Sequence, residues 1–127
     1  MAELEKVELW SDRKRHLGLP LSFTKYTLRE DKFIIDSGFL NLVQDEVRLY
    51  RILDVELVRP LGQRIFGVGT IRVHSSDRSL GDFEIQKVKD AARVKELLSE
   101  KVEEERQKKR VVSREYMDDD VDDEQDM

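Results

Sequence analysis

The sequence predicts a mainly antiparallel β domain, a small curled sheet capped by one C-terminal amphipathic helix. Three observations predict it. Short segments of strand-forming residues, several alternating apolar and polar, recur from Pro20 to Ile85. The period then changes once, to three- and four-residue steps at Val88, Ala91, Val94, Leu98 and Val102. No helical stretch separates the strands, so the crossovers that a parallel sheet requires are missing.

Residues 1–19 read as an N-terminal arm. Leu4, Val7 and Trp10 can share one face of a short helix. Trp10, the only tryptophan, either docks on the domain as an anchor or stands out as an aromatic contact for a partner. Pro20 opens the domain, residues 20–103, at a strand start, where proline is tolerated. Phe23–Arg29 and Lys32–Phe39 are strands joined by Glu30-Asp31, with Ser37-Gly38 marking a turn or bulge. Leu42-Val43 and Val47-Arg48-Leu49 suggest the next strand. From Arg51 to Arg59, Leu53, Val55 and Leu57 share one face. Arg59 to Val73 reads as two strands joined by a glycine turn, the second opening on Gly67-x-Gly69. Along Val68–His74, Ile71 and Val73 point to the core while Thr70, Arg72 and His74 point out. After a polar loop, Ser75–Ser79, Phe83 and Ile85 alternate with Asp82 and Glu84.

Asp90 is placed to cap the final helix, since a short carboxylate can accept the free amides of a first turn. The apolar stripe stops at Val102. Residues 104–127 therefore read as a solvated helix extension followed by an acidic tail. Glu104 with Lys108 and Glu105 with Lys109 stand in the favourable i,i+4 order. The last ten residues repel one another, bury nothing and are expected to be disordered.

Composition removes several function classes. The chain has 127 residues, 40% of them charged, and a formal charge of −5. Seven acids lie at Asp118, Asp119, Asp120, Asp122, Asp123, Glu124 and Asp126; without them, 21 acids face 23 bases and the body is nearly neutral. The absence of cysteine excludes disulfides, thiol catalysis and thiolate metal sites, and fits a cytoplasmic protein. No run approaches the roughly 18 apolar residues of a spanning helix, and the charged N-terminus does not resemble a secretory signal.

Lys25-Tyr26-Thr27-Leu28, Ser37-Gly38-Phe39, Leu49-Tyr50-Arg51-Ile52-Leu53-Asp54-Val55, the block Gln63–Ile71 and the final helix together resemble the bacterial pleckstrin-homology-like (PH-like) family, in particular its YdbS-like branch. The resemblance covers residues 20 to 103. It implies a strongly bent, partly open barrel of two near-orthogonal antiparallel sheets, with the helix plugging one end. The motifs are architectural; none is catalytic. Unlike many members, this chain lacks a membrane-spanning hairpin.

No chemical constellation accompanies the fold. The link Arg29-Glu30-Asp31-Lys32 is too short for a headgroup pocket and carries two acids, which argues against inositide lipid. Gly67-x-Gly69 continues into a strand, whereas a dinucleotide loop would open a helix. His16 and His74 are far apart and offer no metal-ligand spacing. Ser75-Ser76-Asp77 reads as a turn. The expectation is a non-enzymatic module without cofactor or metal that binds a protein or peptide partner or assembles with itself. Trp10, Arg64, Phe66 and the helix extension are the candidate contacts. The alternative is peripheral association with an anionic surface, membrane or nucleic acid, through Arg13, Lys14 and Arg15. No aromatic stacking pattern supports nucleic acid.

Overall fold

The computed structural model describes the backbone of residues 8–126 and the side chains of residues 8–112. Among the described residues there are seven strands: β1 (Glu8–Arg13), β2 (Lys25–Arg29), β3 (Lys32–Ser37), β4 (Val43–Arg48), β5 (Ile52–Val58), β6 (Val68–Ser75) and β7 (Phe83–Lys89). A one-turn 3-10 segment, Leu49–Arg51, joins β4 to β5. A short helix α1 (Leu61–Ile65) stands between β5 and β6, and α2 (Ala91–Asp126) ends the chain. All pairing is antiparallel, in a four-stranded sheet β1-β2-β3-β4 and a three-stranded sheet β5-β6-β7.

The two sheets meet along one corner. The Arg15 amide donates to the Lys87 carbonyl at 2.8 Å, and the Lys89 amide donates to the Asp12 carboxylate at 3.1 Å. On the opposite side β4 and β5 do not pair, so the barrel is open. Inward-facing Tyr26, Leu28, Phe33, Val47, Ile71, Val73 and Ile85 form the core, and Ala91, Val94, Leu98 and Val102 of α2 close it. Fully burying each Leu or Val of that stripe is worth about 1.5–3 kcal/mol, so the first three turns of α2 are firmly anchored.

The structure departs from the sequence reading at identifiable points. Trp10 lies in β1 opposite Leu28, not in a helix; Leu4 and Val7 fall outside the described residues. Its indole stacks on Phe33, with ring centroids 6.5 Å apart, so the arm supplies a barrel strand. The glycine turn contains α1, whose five residues are too few to display a helical period. Irregular register between Ile52 and Asp54 puts Ile52 in the core and leaves Leu53 exposed. A second irregularity, between Gly69 and Ile71, turns Thr70 inward. Its hydroxyl donates to Gln63 at 3.0 Å and accepts the Lys87 amide at 3.3 Å, tying α1 to both strands. Val88 belongs to β7, although it packs with the helical stripe as expected. Asp90 has φ 54, not the extended backbone from which a side chain caps a first turn. Its carbonyl nevertheless accepts the Val94 amide. The helix α2 runs through Asp126.

Candidate functional site

The exposed apolar side chains concentrate in three connections. Leu17, Leu19, Leu21 and Phe23 lie between β1 and β2; Phe39, Leu40 and Leu42 between β3 and β4; Leu61, Ile65 and Phe66 between β5 and β6. Scattered single exposures are ordinary, but a group of large ones confined to neighbouring loops marks a contact surface. The loops touch. Phe23 and Phe39 rings are 4.8 Å apart. Gly18 lies so near the Phe66 carbonyl that a Cβ there would stand 3.1 Å from the oxygen.

A cleft of about 610 Å³ opens where β4 begins. Phe23, Phe39, Leu42 and Val43 make its apolar walls, with Arg13 and Lys25 at its margin. Gly38 holds Phe39 there. Its φ is 103°, and a Cβ would overlap the Asn41 carbonyl oxygen at 1.9 Å, so only glycine permits this turn. The cleft's acid, Asp36, accepts a hydrogen bond from Gln44 at 2.7 Å. Beside the cleft runs the outer edge of β4, paired only with β3 and exposed at five of its six residues. On the facing edge of β5, Arg106 of α2 reaches over to donate to the carbonyl of its first residue, Ile52.

The residues singled out in the sequence are not brought to one place. Trp10 is half-buried under the barrel wall, whereas Arg64 and Phe66 are exposed on the α1 segment. Of the basic triplet, Arg15 pairs with Asp12 at 3.2 Å and donates to the Gly18 carbonyl at 2.9 Å, which makes it a structural cation. Arg13 reaches the Ser22 carbonyl at 3.3 Å. In the helix extension, Lys108 pairs with Glu105 at 3.1 Å, a hydrogen bond that raises the Lys108 pKa, and Lys109 sits 4.8 Å over the Tyr50 ring. These contacts replace the i,i+4 pairs expected there. Sequence reasoning missed Phe23, Phe39 and Leu42 as a cleft. The signal was present: Gly38-Phe39-Leu40-Asn41-Leu42 is an apolar run at a turn that follows no strand alternation.

His74 and Tyr26 are among the titratable groups whose pKa is shifted. His74 is bracketed by Glu56 at 2.9 Å and Asp82 at 3.1 Å, and these hydrogen bonds raise its pKa. It faces outward beside Arg72, as the alternation of β6 predicts. Burial raises the Tyr26 phenol, whose oxygen accepts the Gln86 amide at 3.0 Å. Among the described residues no three His or acidic side chains are grouped to hold a metal ion, and no helix is long and apolar enough to cross a membrane.

A search of curated proteins found no match to this sequence. The family profile described as the bacterial PH domain does match, over residues 18–102. That span runs from the turn before β2 to the last core residue of α2, leaving β1 and the helix extension outside it. Two antiparallel sheets open on one side, a helix across the core and a profile match over about two thirds of the chain agree: the protein belongs to the bacterial PH domain family.

Proposed function

We propose that this PH domain is a non-catalytic module that binds an extended peptide from a protein partner as an added strand on β4. The observation that carries this reading is the coincidence of an unpaired, exposed strand edge with an apolar cleft at its start. An edge supplies main-chain hydrogen bonds of any sequence, and a pocket beside it supplies selectivity for a side chain. Phe23, Phe39 and Leu42 suit an apolar anchor. Arg13 and Lys25 at the margin favour acidic neighbours in the ligand. We place the protein in the cytoplasm, and within its family in the YdbS-like branch, on the block Gln63–Ile71. The alternative of an anionic surface held by Arg13, Lys14 and Arg15 is weakened, because Arg15 is already neutralised by Asp12.

Selection from a random peptide display library tests the proposal. The expected result is enrichment of extended peptides with an apolar anchor and nearby acids, lost in Phe39→Asp. No enrichment above background, or enrichment that survives Phe39→Asp, overturns it.

A further inference from the structure

A second surface lies away from β4. Arg59, Arg64 and Arg93 line an open cleft of about 490 Å³ between the β5–β6 connection and the first turn of α2, with Gly67, Asp90 and Ala91. Among the described residues none of the three arginines is in an ion pair; Arg15, Arg48 and Arg72 are the arginines that are. The cleft is built rather than incidental. A Cβ on Gly69 would stand 2.8 Å from Arg59 Cγ and 2.9 Å from Ala91 Cβ, so the arginine stem lies across bare backbone. On the same segment Leu61, Ile65 and Phe66 are exposed. The surface therefore offers three unpaired guanidinium groups beside an apolar patch.

The complementary surface is on the same chain. Val111 and Val112 are exposed on α2, and the acids from Asp118 to Asp126 follow them. At about 1.5 Å per residue, those acids stand roughly 40–50 Å along the helix from Ala91. A straight helix cannot carry them back to the cleft at its own start. A second copy lying antiparallel can. We propose that two copies pair antiparallel through α2, with the acidic end of each helix in the arginine cleft of the other and Val111 and Val112 along the outer face of the other's α2. The contact is two-fold and closes on itself, so it yields a dimer and not a filament. The register that sets Ala91 opposite Asp122 also sets Glu103 and Glu104 opposite Arg110 and Lys109. This surface is independent of the β4 edge, so Phe39→Asp leaves it intact.

Sedimentation of the full chain tests the pairing. A dimer is expected at 50 mM salt, with a dissociation constant that rises steeply by 500 mM. Arg59→Glu, Arg64→Glu and Arg93→Glu together weaken it roughly ten- to hundredfold, as do Asp118→Lys, Asp119→Lys, Asp120→Lys and Asp122→Lys together. All seven positions are polar surface residues or lie beyond the barrel, and a thermal melt checks that each variant keeps the parent's fold. An equimolar mixture of the two variants restores a heterodimer if the arginines meet the acids. A monomer at 50 mM salt, a dimer that survives the arginine reversals, or a mixture that stays monomeric overturns the proposal.

Discussion

Gly69→Ala probes the one place where β6, the Arg59 stem and the start of α2 converge. The added methyl would meet Arg59 Cγ at 2.8 Å and Ala91 Cβ at 2.9 Å, about 1 Å inside normal carbon contact. Arg59 is exposed and its stem can swing away. Ala91 cannot: it is buried, and it opens a helix whose next turns are locked by Val94 and Leu98. The strand or the helix must therefore shift, and such overpacking costs about 1–3 kcal/mol. For a chain of this length each kcal/mol lowers Tm by roughly 4 °C, so calorimetry should show a loss of about 4–12 °C. Gly62→Ala is the internal control. Gly62 sits in α1 with open space where its Cβ would lie. Alanine there should gain about 0.5–1 kcal/mol from helix propensity and a stiffer unfolded chain. If the two variants melt within a degree of each other, the close approach at Gly69 is wrong, and with it the argument for a built arginine cleft.

Other consequences are quickly checked. Leu98→Ala empties a fully buried position under the cap and should cost about 2–5 kcal/mol by denaturant titration; an effect below 1 kcal/mol would mean that α2 does not close the barrel. The His74 pKa is raised above 6.5, chiefly by its hydrogen bond to Glu56. Its contribution to stability is therefore fully present below pH 6.5 and lost as pH rises through the raised value. The Asp82 pKa is lowered below 3.8, first by its hydrogen bond to His74; its contribution is present above that value and lost on acidification. The cluster thus favours the fold most between about pH 4 and 6.5. Histidine NMR should show His74 titrating above 6.5 and moving down in Glu56→Gln, and no movement refutes the bracketing geometry. Gly38→Ala should collapse the β3–β4 turn and abolish any peptide binding that Phe39→Asp abolishes, read by fluorescence polarisation with a selected peptide.

The strands and the capping stripe were legible because burial on one face imposes a period that needs no knowledge of the partner element. Ile71, Val73 and Ile85 alternate for that reason, and Ala91, Val94, Leu98 and Val102 recur at helical spacing for the same reason. What the sequence hid were departures from period. The irregularities beside Asp54 and Ile71 each shift the phase of a strand, exposing Leu53 and burying Thr70, and one residue's slip is invisible in a short alternating run. β1 was hidden because its apolar residues, Leu9 and Trp10, are adjacent and show no alternation in an otherwise polar strand. Neither cleft could be read directly. Phe23 and Phe39 are sixteen residues apart in sequence, and Arg59 and Arg93 thirty-four, so only the folded connections bring them together.

The length of α2 bears on how these surfaces work. Its capping role ends at Val102, yet the helix continues for twenty-four residues, about 36 Å, through Asp126. Propensity alone supports an extension of that length weakly in water, and acids at a helix C-terminus oppose the helix dipole. The contacts to the barrel, Arg106 to the Ile52 carbonyl and Lys109 over Tyr50, lie in its first two turns. Beyond them Val111 and Val112 are exposed. A partner that covers those valines and neutralises the acids would supply what the extension lacks. Antiparallel pairing predicts that helical circular dichroism of the full chain rises with protein concentration at 50 mM salt, while the sheet signal stays constant. Helicity independent of concentration would leave the extension standing by itself and remove the energetic reason for a second copy.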